Sequence, residues 1–281
     1  MQTMMQPAAL AAPESSSPAA GKAYRLGRIF AADGRTVILP VDHGTMLGRV
    51  QGLEDPVRLI SAFLSAPCDG FLLGPGVAAQ SVGMFARRSA PARLLTIDTY
   101  WRGQSRGAHV LTIGIGRAAA LGVDGIKVLM PWDVPPEERA SRAELIGRVI
   151  SDAEPYGLPV MVEPIFLGAP RPRDAVAIEA DGCRMAAELG ADIIKVMYPN
   201  DPDVMADWCV ELRVPVVILG GPAGGSAEEL CEMVEQAIGA GARGIAIGRR
   251  VWQRPLEQAK VLLSRLAEIV HQEPVHQESE S

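Results

Sequence analysis

Cysteine and histidine are scarce in this chain, with four of each among 281 residues. The cysteines have no Cys-x-x-Cys spacing, which excludes a zinc knuckle and a disulfide framework and favours a reducing cytoplasm. Two of the histidines, His271 and His276, fall in a polar C-terminal segment. His43 and His109 alone are too few for a three-histidine zinc site, so the sequence predicts chemistry that needs no metal and no cofactor.

Three further absences reduce the number of possible functions. The net charge is −6 and no basic run is interleaved with aromatic residues, which argues against nucleic-acid binding. The longest apolar stretches have only the length of a strand, so no membrane span is expected. The first predicted strand is followed by Val-Asp-His-Gly-Thr rather than by a glycine-rich nucleotide turn, which disfavours a doubly wound dinucleotide-binding sheet.

The sequence does contain a regular alternation of short apolar runs and amphipathic segments. Continuous apolar runs of this kind are typical of a parallel sheet covered on both faces. The predicted strands are 36–41, 70–74, 93–97, 125–130, 159–163, 192–197, 215–219 and 244–248. The predicted helices are 56–66, 137–154, 173–189, 202–212, 226–240 and 255–270. The pattern predicts an α/β fold, a single (β/α)8 TIM barrel over 22–270, with a disordered tail at 1–21 and a polar tail at 271–281.

Polar side chains accompany the carboxyl ends of several predicted strands. In a barrel of this type those ends meet at one mouth, where the chemistry takes place. Ionisable groups facing a barrel core are costly unless they are paired, so their accumulation here predicts a functional cluster. The residues concerned are Asp42, His43, Asp98, Lys127, Trp132, Asp133, Glu163, Lys195 and Tyr198.

Lys195 is the most informative of these residues because it lies inside an apolar strand. Burial disfavours the charged form of a lysine, and a neutral amine can attack a ketone to form a Schiff base. The alternative is a lysine that extends from a strand end to solvent. Lys127 is either a structural partner of Glu163 or a group that orients or protonates substrate and favours the neutral amine of Lys195. Glu163 is either that partner or a proton-transfer group.

The other candidates have structural alternatives as well. Asp42 is expected to act as an acid–base group, or else to stabilise a turn. His43 either contacts substrate or simply packs in its loop. Asp98 is expected to cap the segment that follows it. Tyr198 is included as a substrate-binding residue because it follows the strand of Lys195.

The last two strands carry a second signal. The seventh runs into Gly220 and Gly221 at the start of a glycine-rich loop, and the eighth ends at Gly248 followed by Arg249 and Arg250. The loops after these two strands form the usual phosphate site of a TIM barrel, where glycine amides surround the oxyanion and an arginine adds charge. The sequence therefore predicts a small phosphorylated or otherwise anionic keto-sugar as substrate.

These motifs resemble those of the archaeal-type class I aldolases, over roughly residues 24–258. The similar segments are Val-Asp-His-Gly, Gly-Ala-Asp-Ile-Ile-Lys-Val-Met-Tyr, Gly-Gly-Pro and Gly-Arg-Arg-Val-Trp-Gln, which occur in matching order. The resemblance implies that Lys195 is the Schiff-base lysine and that Asp42 is an acid–base group near the substrate carbonyl. It also implies that the phosphate is held by Gly220, Gly221, Gly248 and Arg249.

One departure from that family concerns the end of the fourth strand, where many members carry a tyrosine as proton shuttle. Here the stretch reads Lys-Val-Leu-Met-Pro-Trp-Asp, and Lys127 instead resembles the fourth-strand lysine of tagatose-bisphosphate aldolases. The resemblance implies a metal-independent aldolase for a ketose phosphate such as fructose 1,6-bisphosphate or a sulfonated analogue, and a homo-oligomer. A transaldolase or thiolase of the same family and a non-catalytic sugar-phosphate-binding barrel remain alternatives.

Overall fold

The computed structural model describes residues 18–100, 109–166 and 173–272. Eight parallel strands close into a barrel, which confirms the predicted (β/α)8 architecture. These strands are β1 (Thr36–Pro40), β2 (Gly70–Leu73), β3 (Ala92–Thr96), β6 (Gly125–Pro131), β7 (Val160–Ile165), β8 (Ile193–Met197), β9 (Val216–Leu219) and β10 (Gly244–Ala246). Each pairs with the next in this order, and β10 pairs with β1 to close the barrel.

Helices surround the barrel and connect its strands. They are α1 (Pro18–Ile29), α2 (Gly44–Leu47), α3 (Pro56–Phe63), α4 (Pro75–Gln80), α5 (Val82–Phe85), α6 (Ile115–Ala120), α7 (Pro136–Ala153), α8 (Ala175–Glu188), α9 (Pro202–Leu212), α10 (Ala227–Gly239), α11 (Arg249–Trp252) and α12 (Leu256–His271). A 3₁₀ turn, Glu154–Tyr156, follows α7. The start of α10 is fixed by Ser226, which forms a capping box with Glu229. No helix within the described ranges is long and apolar enough to cross a membrane.

The side chains of each strand alternate between the barrel interior and the surrounding helices. The outward residues form the large core between strands and helices, while a smaller core fills the lower half of the barrel. On β8, for example, Ile193 belongs to the inner core, and Lys195 and Met197 follow on the same face above it. On β7, Met161 precedes Glu163 in the same way. The interior is therefore apolar at its amino-terminal end and polar at its mouth.

The amino-terminal end of the barrel is closed by α1, which begins inside the stretch predicted as a tail. Ile29 of this helix packs in the inner core, and Leu26 and Phe30 lie against it. At the opposite terminus, His271 ends α12 and contacts Asp33 and Asp69. The predicted tails at 1–17 and 273–281 lie outside the described residues.

A two-stranded antiparallel hairpin is inserted after β3 and was not predicted from the sequence. It consists of β4 (Asp98–Tyr100) and β5 (His109–Leu111). Strands of three residues are too short for a period of two to be recognised. The hairpin matters because it brings further side chains to the carboxyl end of the barrel.

Candidate active site

A cavity of about 410 Å³ opens at the carboxyl ends of the barrel strands. This is the end at which the chemistry of TIM barrels takes place, and the volume suits a small ligand. The polar and glycine residues on its wall are Asp42, His43, Tyr100, Glu163, Glu179, Lys195, Gly220, Gly221, Gly248 and Arg249. The fold therefore brings together most of the residues that the sequence predicted for the site.

Two lysines share one carboxylate beneath this cavity. Lys195 donates a hydrogen bond to Glu163, with 2.9 Å between Nζ and Oε2. Lys127 Nζ lies 2.9 Å from the same oxygen and 3.8 Å from Oδ2 of Asp42. Lys127 is fully buried, whereas Lys195 is on the cavity wall, so Lys195 is the amine that a ligand reaches.

The carboxylates and Lys127 of this cluster stabilise one another in their ionised forms. Burial alone would raise the pKa of Glu163, but the neighbouring Lys127 and Lys195 hold it below its usual value. Burial likewise opposes ionisation of Asp42, whose pKa is nevertheless lowered by the two lysines, His43 and the Thr96 hydroxyl. Burial would lower the pKa of Lys127, but Glu163 and Asp42 raise it above its ordinary value. Near neutral pH, Lys127 is therefore a cation between two carboxylates.

Asp42 lies at the end of β1, where Thr96 binds its carboxylate and His43 is close by. The Thr96 hydroxyl donates a 2.5 Å hydrogen bond to Oδ2 of Asp42, and His43 Nδ1 lies 3.7 Å from Oδ1. The His43 ring packs edge-on against Trp252, with 5.6 Å between centroids. Burial lowers the pKa of His43 to about 4, with Arg249 and Lys195 adding to the effect of burial. His43 therefore contributes a neutral imidazole to the cavity wall.

The two loops predicted to bind phosphate meet on the opposite wall from the β3 hairpin. Gly220, the residue after β9, packs so closely against the end of β10 that an added Cβ would lie 2.7 Å from Ile247. Gly221 has φ of 70°, a conformation that favours glycine. Arg249 donates to the carbonyl of Gly221 at 3.3 Å and so ties the β9 and β10 loops together. Arg250 instead donates to the carbonyl of Ser226.

Tyr198 was wrongly predicted to bind substrate. Its hydroxyl donates to Gln236 of α10 at 3.1 Å, and the residue does not lie on the cavity wall. The reason is strand alternation: Lys195 and Met197 face the interior, so the residues between and after them face the helices. The same rule places Trp132 in the outer core, where it packs against Gly182 of α8.

Asp98 holds the hairpin instead of capping the next segment as expected. Its carboxylate accepts a 2.7 Å hydrogen bond from the backbone N–H of Leu129 and lies 2.6 Å from His109 Nε2. Asp98 therefore positions the hairpin beside the mouth.

Glu163, predicted to end its strand, is followed by two more strand residues of β7.

Tyr100 and Glu179 also lie on the cavity wall and were not predicted from the sequence. Tyr100 belongs to the unpredicted hairpin, and no pattern marked it. Glu179 lies on the buried face of α8, among Ala175, Gly182 and Cys183. An acid at a helical position otherwise occupied by small buried residues is a signal that could have identified it. Within the described residues, no group of three or more His, Cys, Asp or Glu side chains is arranged to hold a metal ion.

The comparisons with known proteins agree with this geometry. Residues 36–254 match the model of the DeoC/LacD family aldolases. The chain is 31% identical to 2-amino-3,7-dideoxy-D-threo-hept-6-ulosonate synthase 1 of Archaeoglobus fulgidus, over 91% of this chain and 94% of that protein. It is 30% identical to the class 1 fructose-bisphosphate aldolase of Thermoproteus tenax, over 87% and 92% of the two chains.

A solved structure of an archaeal fructose-1,6-bisphosphate aldolase, with its catalytic lysine bound to the carbinolamine of its substrate, superposes with a TM-score of 0.75. It is 28% identical and is covered over 99% of its length by 89% of this chain. The resemblance to archaeal-type aldolases noted in the sequence is thereby confirmed. This chain belongs to the DeoC/LacD family of aldolases and is an enzyme that forms or cleaves carbon–carbon bonds.

Proposed function

We propose that this protein is a metal-independent class I aldolase whose Lys195 forms a Schiff base with a phosphorylated ketose. The observation that carries the proposal is the position of its amine. Lys195 Nζ is on the wall of the mouth cavity and 2.9 Å from Glu163, while Lys127 supplies the buried positive charge beneath. A positioned amine beside an ionised carboxylate has both the nucleophile and the proton acceptor that imine formation requires.

In this mechanism the Lys195 amine attacks the ketone carbon, and the ketone oxygen takes up a proton from water to become the carbinolamine hydroxyl. Glu163 takes a proton from the nitrogen and returns it to that hydroxyl, which leaves as water. The resulting protonated imine accepts the electron pair of the adjacent C–C bond while the hydroxyl on the departing carbon gives its proton to a general base. An aldehyde is released and an enamine remains on Lys195. Lys127 and Asp42 keep the charges around Glu163 balanced while these protons move. The enamine carbon then takes a proton from water, which restores the imine, and hydrolysis of that imine regenerates Lys195.

The phosphate of the substrate would lie between the β9 and β10 loops. Gly220, Gly221 and Gly248 line the cavity there without side chains, and Arg249 adds a guanidinium on the same wall. A phosphate bound there would lie at one side of Lys195 and would leave the rest of the cavity for the remaining carbons. Two relatives of nearly equal identity are named for different products, so a synthase that joins two fragments is a second candidate.

The test is borohydride trapping with a panel that includes fructose 1,6-bisphosphate and dihydroxyacetone phosphate, followed by peptide mass spectrometry. We expect a reduced adduct on Lys195, whose mass identifies the carbon fragment that is retained. Product analysis of reactions run without borohydride, with the donors that gave an adduct and with candidate aldehydes, separates cleavage from synthase or thiolase activity. If folded protein gives no adduct on any lysine with every ligand, the proposal is wrong and a sugar-phosphate-binding role is favoured.

A further inference from the structure

Tyr100 is a phenol on the cavity wall that the mechanism above does not use. It ends β4 and is half-buried, and it lines the same cavity as Lys195 and Glu163. Its hydroxyl makes no hydrogen bond to any residue of the described ranges. A phenol in this position has a proton to give and an oxygen that can accept one.

Contacts of the two residues before Tyr100 in β4 hold it in place. Asp98, two residues earlier, is bonded to the Leu129 N–H of β6 and to His109 of β5. The Thr99 hydroxyl donates to the carbonyl of Thr45 in α2. These contacts hold β4 against the barrel and against α2, so Tyr100 lies on a segment of fixed position. A general acid–base group requires such a fixed position.

The aldehyde half of the reaction needs a proton donor that the buried cluster does not provide. Glu163 Oε2 already contacts both lysines, and the contacts of Asp42 are with Thr96, His43 and Lys127. Of the two carboxylates, Glu163 contacts the nitrogen of Lys195, where imine formation takes place, and Asp42 contacts Lys127. For a substrate whose phosphate binds at the β9 and β10 loops, the aldehyde oxygen would lie on the far side of the reacting bond, toward the hairpin that follows β3 across the barrel.

We propose that Tyr100 is the general acid–base group for the aldehyde half of the substrate, an inference that rests on the proposed aldolase function. In the condensation direction, the enamine carbon on Lys195 bonds to the aldehyde carbon, and the C=O electron pair moves to oxygen. That oxygen takes the phenolic proton of Tyr100, and the phenolate regains a proton from water. In cleavage, the phenolate takes the hydroxyl proton as the C–C bond breaks.

The experiment compares Tyr100→Phe with Tyr24→Phe, which removes a largely exposed phenol from α1. Three quantities are measured for each: the borohydride adduct with dihydroxyacetone phosphate on Lys195, solvent deuterium exchange at the donor carbon of that ligand, and C–C bond turnover. The first two report imine and enamine formation and need no aldehyde. They also show that the site is folded in the variant.

For Tyr100→Phe we expect a normal adduct, donor-carbon exchange within about threefold of wild type, and turnover reduced by about 100-fold or more. Tyr24→Phe should match wild type in all three. Near-native turnover of Tyr100→Phe overturns the inference. Exchange that falls in parallel with turnover also overturns it, because the residue would then act at the donor carbon. Absence of any adduct in wild type would instead overturn the proposed function.

Discussion

At the amino-terminal end of the barrel three aspartates pair with three different, partly exposed cations, whereas at the mouth two buried lysines and two carboxylates form one cluster. Each of the three aspartates directly precedes a strand of the barrel. Its carboxylate accepts a hydrogen bond from a backbone N–H in the first two residues of a neighbouring barrel strand, at 2.6, 2.8 and 2.9 Å. The sets are Asp69 with Val37 N–H and His271, Asp124 with Arg93 N–H and Arg28, and Asp192 with Val160 N–H and Lys22.

The cations at this end are partly exposed, and two of them belong to α1, so these pairs fasten the closing helix to the strands. At the mouth, in contrast, Lys127 is fully buried and Glu163 Oε2 lies 2.9 Å from the nitrogen of both lysines. Aspartate–cation pairs whose carboxylate also binds a backbone N–H favour stability. The buried cluster at the mouth keeps a nucleophile and proton carriers in contact at an energetic cost. The two ends should therefore respond differently to the same kind of substitution.

The largest contrast in activity is expected between the lysines of the two ends. Lys195→Met should reduce turnover to background and abolish the borohydride adduct, because no other amine lies on the described cavity wall. Glu163 keeps Lys127 as partner, so the variant should remain folded. Lys22→Met removes a partly exposed pair and should cost at most about 1 kcal/mol with unchanged turnover. Near-native turnover of Lys195→Met would remove the basis of the mechanism.

Lys127→Met is expected to have the largest effect on stability. It leaves Asp42 and Glu163 with a single lysine in a buried site, and breaking such a pair typically costs about 3–5 kcal/mol. The double variant Lys127→Met with Glu163→Gln removes the excess charge and should recover much of the free energy of unfolding but no turnover. Urea denaturation measures both effects. A single variant within about 1 kcal/mol of wild type would contradict the shared-charge description.

At the other end, Asp124→Ala should lower stability without altering catalysis. The substitution leaves the buried Arg93 N–H without its acceptor and Arg28 without its counter-ion, for a loss of about 2 kcal/mol. Asp181→Ala, on the exposed face of α8, is the control and should be nearly neutral. Urea denaturation and kcat/KM are measured on the same preparations. A fall in kcat/KM for Asp124→Ala would show that the two ends are coupled.

The barrel and most of its site could be predicted from the sequence because both depend on local patterns. Apolar runs of strand length identified the eight strands, and polar residues at their ends identified Asp42, Glu163 and Lys195 as neighbours. The prediction failed for Tyr198 because the side of a strand on which a residue lies depends on register, and one position reverses it. It also failed for Tyr100, whose place depends on tertiary contacts of a three-residue strand.

The aspartates at the closed end were missed although they leave a regular trace in the sequence. Each lies 31 or 32 residues after the backbone group that it binds, and each stands directly before a strand. Arg243 occupies the corresponding position before β10. An acidic residue at a strand start suggests a turn or a cap when read locally. Its function as a clamp becomes apparent only when neighbouring strands are placed side by side.

The smallest expected effect is a pH dependence of stability from His271. Hydrogen bonding to Asp69 raises the pKa of His271 to about 9 against the opposing effect of burial, with Asp33 adding to the increase. The unfolded value is 6.5, so the contribution is complete below pH 6.5 and is lost as the pH rises to about 9. Solvent screening limits it to about 1 kcal/mol, and added salt should reduce it further.

The measurement is the free energy of unfolding of wild type and His271→Asn between pH 6 and 9.5, because the difference isolates this group from other titrations. We expect the two proteins to differ most at the acidic end and to converge above the pKa of about 9. Turnover should keep the same pH profile in both, since His271 is at the end of the barrel away from Lys195. A constant difference across the range would mean that the ring stabilises α12 by packing, with the charge on His271 contributing nothing.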